Sequence, residues 1–460
     1  MSANSVERTA VVTNALSRHY DVVAEAARIM GRQSAVPEGE FEPGFELPEL
    51  STEMEQYFAA SDVALGELGE YRGRRLTLLD MMRNPHTRTT KTFASLVMVA
   101  RAVHHIQTTG ERILILTPSS ANKATALRDA VWRAIDAGLV TRDQLRIAVI
   151  VPTASQPKLW SSPLSTDPDL RRRNPVMVYD GPERASVKDL ARAFMDKYAS
   201  VIEEDCTLKI WYTLNIANYK VADAVRAAVE DEFFTGADSG SRLHAHSVSS
   251  AYGLLGHHAG HRLLGDLRER PATEAPRYLL VQHLDTPDMV LHLRNGSFSR
   301  DNIPPYTYDP VTGLHHQETD PHFPFTTADP DETLETTFYT HTPVTSDEMT
   351  SIIRTNGGDG IVVSLHECIT RYPQIRTMLA RAGVQLPADL RALREWSLVM
   401  ALTGVLNAID RDLVAPGEDI LVHGSGCYAQ QDYRTLSRAE LTEVYDVETA
   451  CDVIRTAVSA

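Results

Sequence analysis

Apolar residues along this chain fall into short runs that alternate with longer stretches of helical periodicity. Residues 76–82 read "LTLLDMM" and lead through a loop to "FASLVMVARAVHHI", and "RILILTP" leads to "NKATALRDAVWRAIDAGL". A short apolar run bounded by turn residues fits a buried strand, and a 3.6-residue period fits a helix. Repetition of the pair predicts an α/β fold with parallel sheet. "LRIAVIV", "VMVYDG", "LKIWYTL", "YLLVQHL" and "DILVHGSG" continue the strand series. Residues 1–34 carry helical periodicity in "VERTAVVTNALSRHYDVVAEAARIM", and "AVPEGEFEPGFELPELS" then reads as an irregular connection. Residues 1–70 are therefore expected to form a helical N-terminal arm. Residues 295–344, rich in Pro, Asp, Thr and aromatics, show no periodicity, which predicts an irregular insertion of the kind used as a lid or an interface. Thr345 stands three residues before Glu348, a capping-box spacing that predicts a helix start.

Composition narrows the function classes. At 460 residues the chain exceeds one compact core and points to two domains. Lys plus Arg number 45 against 61 Asp plus Glu, a net charge of −16, which argues against nucleic acid or an anionic membrane as the main partner. The four cysteines, Cys206, Cys368, Cys427 and Cys451, form no C-x-x-C pair and read as reduced, structural thiols. The N-terminus lacks an export-type basic and apolar segment and no run is long enough to span a membrane, so a cytoplasmic location is expected.

Four loops that follow expected strands carry candidate chemistry, at the strand ends where open parallel sheets bind ligands. In "NPHTRTTKTFASL", Lys91 stands where strand gives way to helix. Such a lysine can grip a phosphate, bond covalently to a carbonyl cofactor, or face water. The phosphate loop G-x-x-x-x-G-K-[ST] is a poor match, because Pro85 and Thr90 hold its glycine positions. In "ILTPSSANKATAL", Ser119, Ser120 and Asn122 can donate to a carboxylate or phenolate oxygen, or simply cap a helix. In "HSVSSAYGLLGHHAG", Ser249, Ser250, Ala251, Tyr252 and Gly253 form a turn able to hold a phosphate on backbone N–H groups and hydroxyls, or an ordinary serine-rich turn. In "DILVHGSGCYAQQDY", glycines around Ser425 allow close approach of a flat ligand. His257 and His261 are one helical turn apart, but no carboxylate falls inside the cluster and no H-E-x-x-H occurs, so it reads as a helix surface or interface and no metal is expected.

Taken in order, these motifs resemble those of the pyridoxal-phosphate enzymes of fold type II, the tryptophan-synthase-like group, and most of all threonine synthase. "NPHTRTTKT" is similar to the family's cofactor-lysine stretch N-P-T-G-S-F-K-D, with Asn84, Pro85, Thr89 and Lys91 matching and one extra residue between. "SSANKATAL" resembles the family's S-S-G-N and offers Asn122. "WYTLNIANYKVADAV" follows the shape of Y-x-x-E-G-x-K-T-x-A through Tyr212, Lys220 and Ala222. "SVSSAYGLL" aligns with the phosphate turn P-V-G-N-A-G-N-I, keeping Val248 and Ala251, and "RDLVAPGEDILVHGSG" resembles the family's closing segment. The resemblance runs from about Leu76 to about Asp432.

It implies two open twisted sheets with flanking helices: a large cofactor-binding domain from residues 71–100 and 200–460, and a smaller one from 101–199. It further implies a cofactor, pyridoxal phosphate, with Lys91 as the covalent and proton-transferring amine and Asn122 on the phenolic oxygen. The phosphate falls to Ser249, Ser250, Ala251, Tyr252 and Gly253, and the pyridine nitrogen to His423 or Ser425. Arg88, Thr89, Ser119 and Ser120 are the expected substrate contacts. By glycine register His423 takes the place where the family keeps a Ser or Thr, and the phosphate turn has lost the Gly and Asn pattern. The implied activity is therefore that of a divergent lyase or β/γ-replacement enzyme acting on an amino acid with an activated side chain, as a homodimer. The alternative is a catalytically silent homologue that binds a partner.

Overall fold

The computed structural model describes residues 9–34, 39–213, 215–234, 242–268, 275–338 and 340–460. The chain divides into two units, each assembled from separate stretches: residues 1–13, 62–83 and 226–430 in one, and 14–61, 84–225 and 431–460 in the other.

The first unit is built on a seven-stranded sheet with the order Ala10–Val12, Val63–Tyr71, Arg74–Asp80, Ile420–Gly424, Leu243–Ser247, Arg277–His283 and Gly358–Val363. The first three strands run antiparallel to one another and the rest are parallel. Register follows the pleat, with Val422 opposite Leu78 on one side and Ala245 on the other. Those residues, with Val281 and Val363, are buried against the helices Leu365–Arg381 and Ser397–Asp410. On the opposite face Tyr278, Leu280 and Val362 pack with the helices Tyr252–Leu267, Asp288–Asn295 and Ser346–Asn356. Each side of the sheet is thus covered, as near-continuous apolar strands require.

The second unit holds a five-stranded parallel sheet with the order Thr442–Val444, Val176–Tyr179, Leu145–Pro152, Arg112–Pro118 and Leu208–Tyr212. Leu114, Leu116, Ile150 and Met177 bury one face against the helices Ser186–Phe194 and Val447–Ser459. The helices Lys91–Thr109 and Asn122–Asp136 also belong to this unit.

Three expectations differ from the structure. Residues 10–12, with their β-branched "AVV", form an edge strand, and residues 63–71 are a sheet strand, so residues 1–70 are not one helical arm. Residues 14–61 are helical in part and are tied into the second unit through Arg101. This fully buried guanidinium pairs with Glu42 at 3.0 Å and lies 3.5 Å from the centre of the Phe45 ring. Residues 84–100, 200–225 and 431–460 likewise fall in the second unit, not the first. The insertion 295–344 is not structureless: the strands Thr307–Asp309, Leu314–His316 and Thr326–Thr327 form a small antiparallel sheet. The Gln317 amide donates to the carbonyls of Asp320, Phe323 and Pro324, and the Phe323 side chain is buried.

Candidate active site

Asn84 fixes the loop that carries the candidate lysine. Buried, it donates to Asp129 at 2.9 Å, and its own oxygen accepts from the His86 amide at 3.1 Å. Arg133 holds the same Asp129 carboxylate at 2.8 Å. The hydroxyls of Thr87 and Thr92 share a bond of 2.6 Å across the loop. Arg88 takes a left-handed conformation, φ +47°, and pairs with Asp432 at 3.5 Å. Thr89 is buried and its hydroxyl has no hydrogen-bond partner. Lys91 then opens the helix Lys91–Thr109, with its Nζ 5.0 Å from the centre of the Tyr219 ring.

A second lysine belongs to the same unit. Lys123 donates through Nζ to the Thr213 carbonyl, and burial pushes its pKa down to about 7, with Lys91 and Lys188 adding like-charge repulsion. The Thr213 hydroxyl is buried and unpartnered. Lys123 follows Asn122 at the start of the helix Asn122–Asp136. Ser119 caps that helix: its Oγ accepts from the amides of Ala121 at 3.2 Å and Ala124 at 2.9 Å. Its oxygen thus accepts twice from backbone while its O–H remains a donor, and Ser120 is half-buried beside it.

In the first unit, Leu243–Ser247 delivers the turn Val248–Gly253 at its carboxyl end. Ala251 sits at φ +51° just before the helix Tyr252–Leu267, and Ser249 and Ser250 are half-buried. The hydroxyl of Thr345 donates to the Ser250 carbonyl at 2.8 Å. The helix predicted after Thr345 does begin at Ser346, yet Thr345 makes no side-chain cap, because its hydroxyl is drawn to the turn instead. On the neighbouring strand the half-buried Ser425 pairs its Oγ with that of Ser247 at 2.7 Å.

His423 lies one step deeper, buried within a histidine network that sequence reading missed. The Arg226 Nη1 is 3.2 Å from His423 Nδ1, and His423 Nε2 is 3.1 Å from His244 Nδ1. His244 Nε2 faces Glu230 Oε1 at 3.6 Å, while His257 bridges Glu230 Oε2 at 2.7 Å and the Tyr278 hydroxyl at 2.9 Å. His246 stacks on His423 with ring centres 3.9 Å apart, and its Nε2 has no hydrogen-bond partner. Proton positions follow from one fact: a guanidinium only donates. His423 Nδ1 therefore accepts, its Nε2 carries the proton and donates to His244, and His244 directs its own proton toward Glu230. Burial agrees, holding His244 down at about 3 and His246, His257 and His423 well below the usual histidine range.

His244, His257 and His423 also bring ring nitrogens within 4.8 Å of one another, a spacing compatible with a metal ion. A metal on His423 Nε2 would place a proton on Nδ1, facing the Arg226 N–H at 3.2 Å, donor against donor. The arrangement is a directional hydrogen-bond network that ends on the Glu230 carboxylate. His257 is fully buried, so the helix that carries it is not simply a surface there; His258 and His261 are half-buried. The missing signal is spatial: Arg226 and Glu230, one turn apart on the helix Val225–Phe233, meet His244, His257 and His423 from three other segments.

The sequence pattern of DUF6002, a family of unknown function, matches residues 11–458. The chain belongs to that family. No curated protein matches it by sequence. Among solved structures, this DUF6002 chain is similar to a pyridoxal-phosphate-bound threonine synthase from Brucella melitensis, with 12% identity, TM-score 0.55, and coverage of 95% of this chain and 89% of that one. It is similar to yeast threonine synthase at 11% identity and TM-score 0.55, covering 86% and 81%. A fungal L-serine ammonia-lyase from Rhizomucor miehei gives 13% identity and TM-score 0.50, covering 82% and 95%. At these identities the likeness establishes the fold, which is that of the fold type II enzymes. Among the described residues no helix is long and apolar enough to cross a membrane.

Proposed function

We propose that this chain is a pyridoxal-phosphate-dependent enzyme acting on an amino acid whose side chain carries an activated β- or γ-substituent. The observation that carries the reading is Lys91, an amine at the start of a helix, after a loop whose every turn is pinned by Asn84, Asp129 and the Thr87–Thr92 pair. Those bonds hold the backbone from which the amine projects, as a site for covalent catalysis requires. The residues present also fit the rest of the group. A turn with a left-handed Ala251 directs successive N–H groups outward and suits a phosphate. Ser425, at a strand end, offers a hydroxyl suited to a pyridine nitrogen, whereas both His423 nitrogens are already engaged. Asn122 at the opening of its helix has a side-chain amide for the phenolic oxygen.

Pyridoxal phosphate, when bound, supplies an electron sink next to the α-carbon of the amino acid, which makes the α-proton and a leaving group labile. Lys91 would hold the cofactor at its carbonyl end and would take the substrate's α-proton on Nζ. The unpartnered Thr89 hydroxyl is available to the substrate.

Lys123 is the competing amine, since a lysine held near 7 is also nucleophilic at neutral pH. Addition of pyridoxal phosphate to the purified protein separates the two. A visible absorbance band is expected for wild type and for Lys123→Met, and no band for Lys91→Ala. A colourless wild-type protein overturns the reading and leaves the silent homologue; a band that survives Lys91→Ala but not Lys123→Met moves the covalent bond to Lys123.

A further inference from the structure

Arg226 is 2% exposed, and its guanidinium touches two things that matter to the turn at residues 248–253. Its Nη1 is held by His423, and its Nη2 lies 3.1 Å from the point where a Cβ on Gly253 would stand. His246 Nδ1 lies 3.5 Å from the same point. Gly253 belongs to the first turn of a 16-residue helix, so absence of a side chain there is what lets a guanidinium approach the helix start from beneath. The imidazoles that link Arg226 to Glu230 are neutral, so they add no second cation beside the guanidinium at the turn. A guanidinium offers donors in a rigid fork that matches the oxygens of a phosphate monoester.

We propose that Arg226 is a phosphate-binding residue of the 248–253 turn, set in place by His423, and that the group it takes is the phosphate monoester of the cofactor. This rests on the pyridoxal-phosphate reading, and the test is arranged to tell failure of one from failure of the other. Affinities for pyridoxal phosphate and for pyridoxal, which keeps the aldehyde and lacks the phosphate, are measured by absorbance titration. Inorganic phosphate is followed separately by its effect on thermal unfolding.

Wild type is expected to prefer pyridoxal phosphate, and Arg226→Met to cut that preference by about tenfold to a hundredfold, the range of a charge-assisted hydrogen bond, with pyridoxal affinity unchanged. Arg226→Lys recovers part of the preference. Inorganic phosphate stabilises wild type and not Arg226→Met. Should Arg226→Met fail to fold, Arg226→Gln serves instead, with the same loss expected for pyridoxal phosphate and inorganic phosphate and none for pyridoxal. Equal losses for both aldehydes, or an unchanged preference, would overturn the assignment and return Arg226 to a purely architectural part. Wild type that binds neither aldehyde yet is stabilised by inorganic phosphate through Arg226 retains the phosphate site, from a source other than this cofactor, and loses the cofactor reading.

Discussion

Ala121 stands immediately before Asn122 with φ +119° and ψ −57°, a conformation that costs an L-residue about 1–3 kcal/mol. The related motif has glycine at this position. Ala121→Gly removes the clash of the Cβ and gives back about 0.5–1 kcal/mol in unfolded-chain entropy, so a net gain of about 1 kcal/mol is expected in urea unfolding. A neutral or destabilising result would mean that the loop relaxes around the alanine. Single residues also mark where the sequence was legible. Lys91 and Asn122 could be singled out because their neighbours form an ordered motif. Ser119 could not be separated from a helix cap, and the amides of Ala121 and Ala124 take its oxygen. His423 and Ser425 each precede a glycine, so register alone left both open; both ring nitrogens of His423 are engaged at depth, whereas Ser425 lies at the strand's end beside Ser247.

Among the elements, the strands readable in advance were those with uninterrupted apolar runs, such as Arg112–Pro118 and Arg277–His283. Leu243–Ser247, the strand that leads into the turn at residues 248–253, was missed although its sequence "LHAHS" alternates as a half-buried strand does, with Leu243 and Ala245 in the apolar core and His244 and His246 in the polar network; five residues whose second face is histidine, not solvent, lack the long apolar run that marks the other strands. Spacing predicted the helix start at Thr345 correctly and its hydrogen bond wrongly: the hydroxyl donates to the carbonyl of Ser250, far off in sequence. Thr345→Val keeps shape and removes the donor to the Ser250 carbonyl. A loss of about 1 kcal/mol is expected, with faster amide exchange confined to the turn and the start of the following helix. If exchange there does not change, the turn is held by its backbone alone.

Over the whole molecule, alternation of strand and helix announced an α/β chain, but not which stretches share a unit. Arg101 shows why: residues 42–45 join the second unit through one buried guanidinium, a long-range partner that no local pattern encodes. The histidine network is of the same kind, and its largest consequence is global. Burial depresses His244, His246, His257 and His423, outweighing the Glu230 carboxylate at His244 and helped by the Arg226 guanidinium at the other three, so the folded protein keeps them neutral where the unfolded chain, near 6.5, takes up protons. Their contribution to stability is therefore complete above about pH 6.5 and is lost progressively as pH falls below it. Each histidine adds a slope of up to about 1.4 kcal/mol per pH unit, roughly 5 for the four together, and His258 and His261, also lowered by burial, add in the same sense. His322 works in the opposite sense: burial lowers it, but hydrogen bonds to Asp320 and Asp359 prevail and raise it, which offsets one proton at most. Urea unfolding between about pH 5 and about pH 7.5 follows the histidines against an opposite contribution from Glu332, Glu367 and Glu418, whose carboxyls burial raises. A steep fall in stability toward the acid side is expected, and His257→Gln, which removes one titrating ring, lowers the slope by about one proton. A flat profile in that window would mean that the rings are already charged in the folded protein, and that Arg226 and Glu230 are not joined by neutral imidazoles.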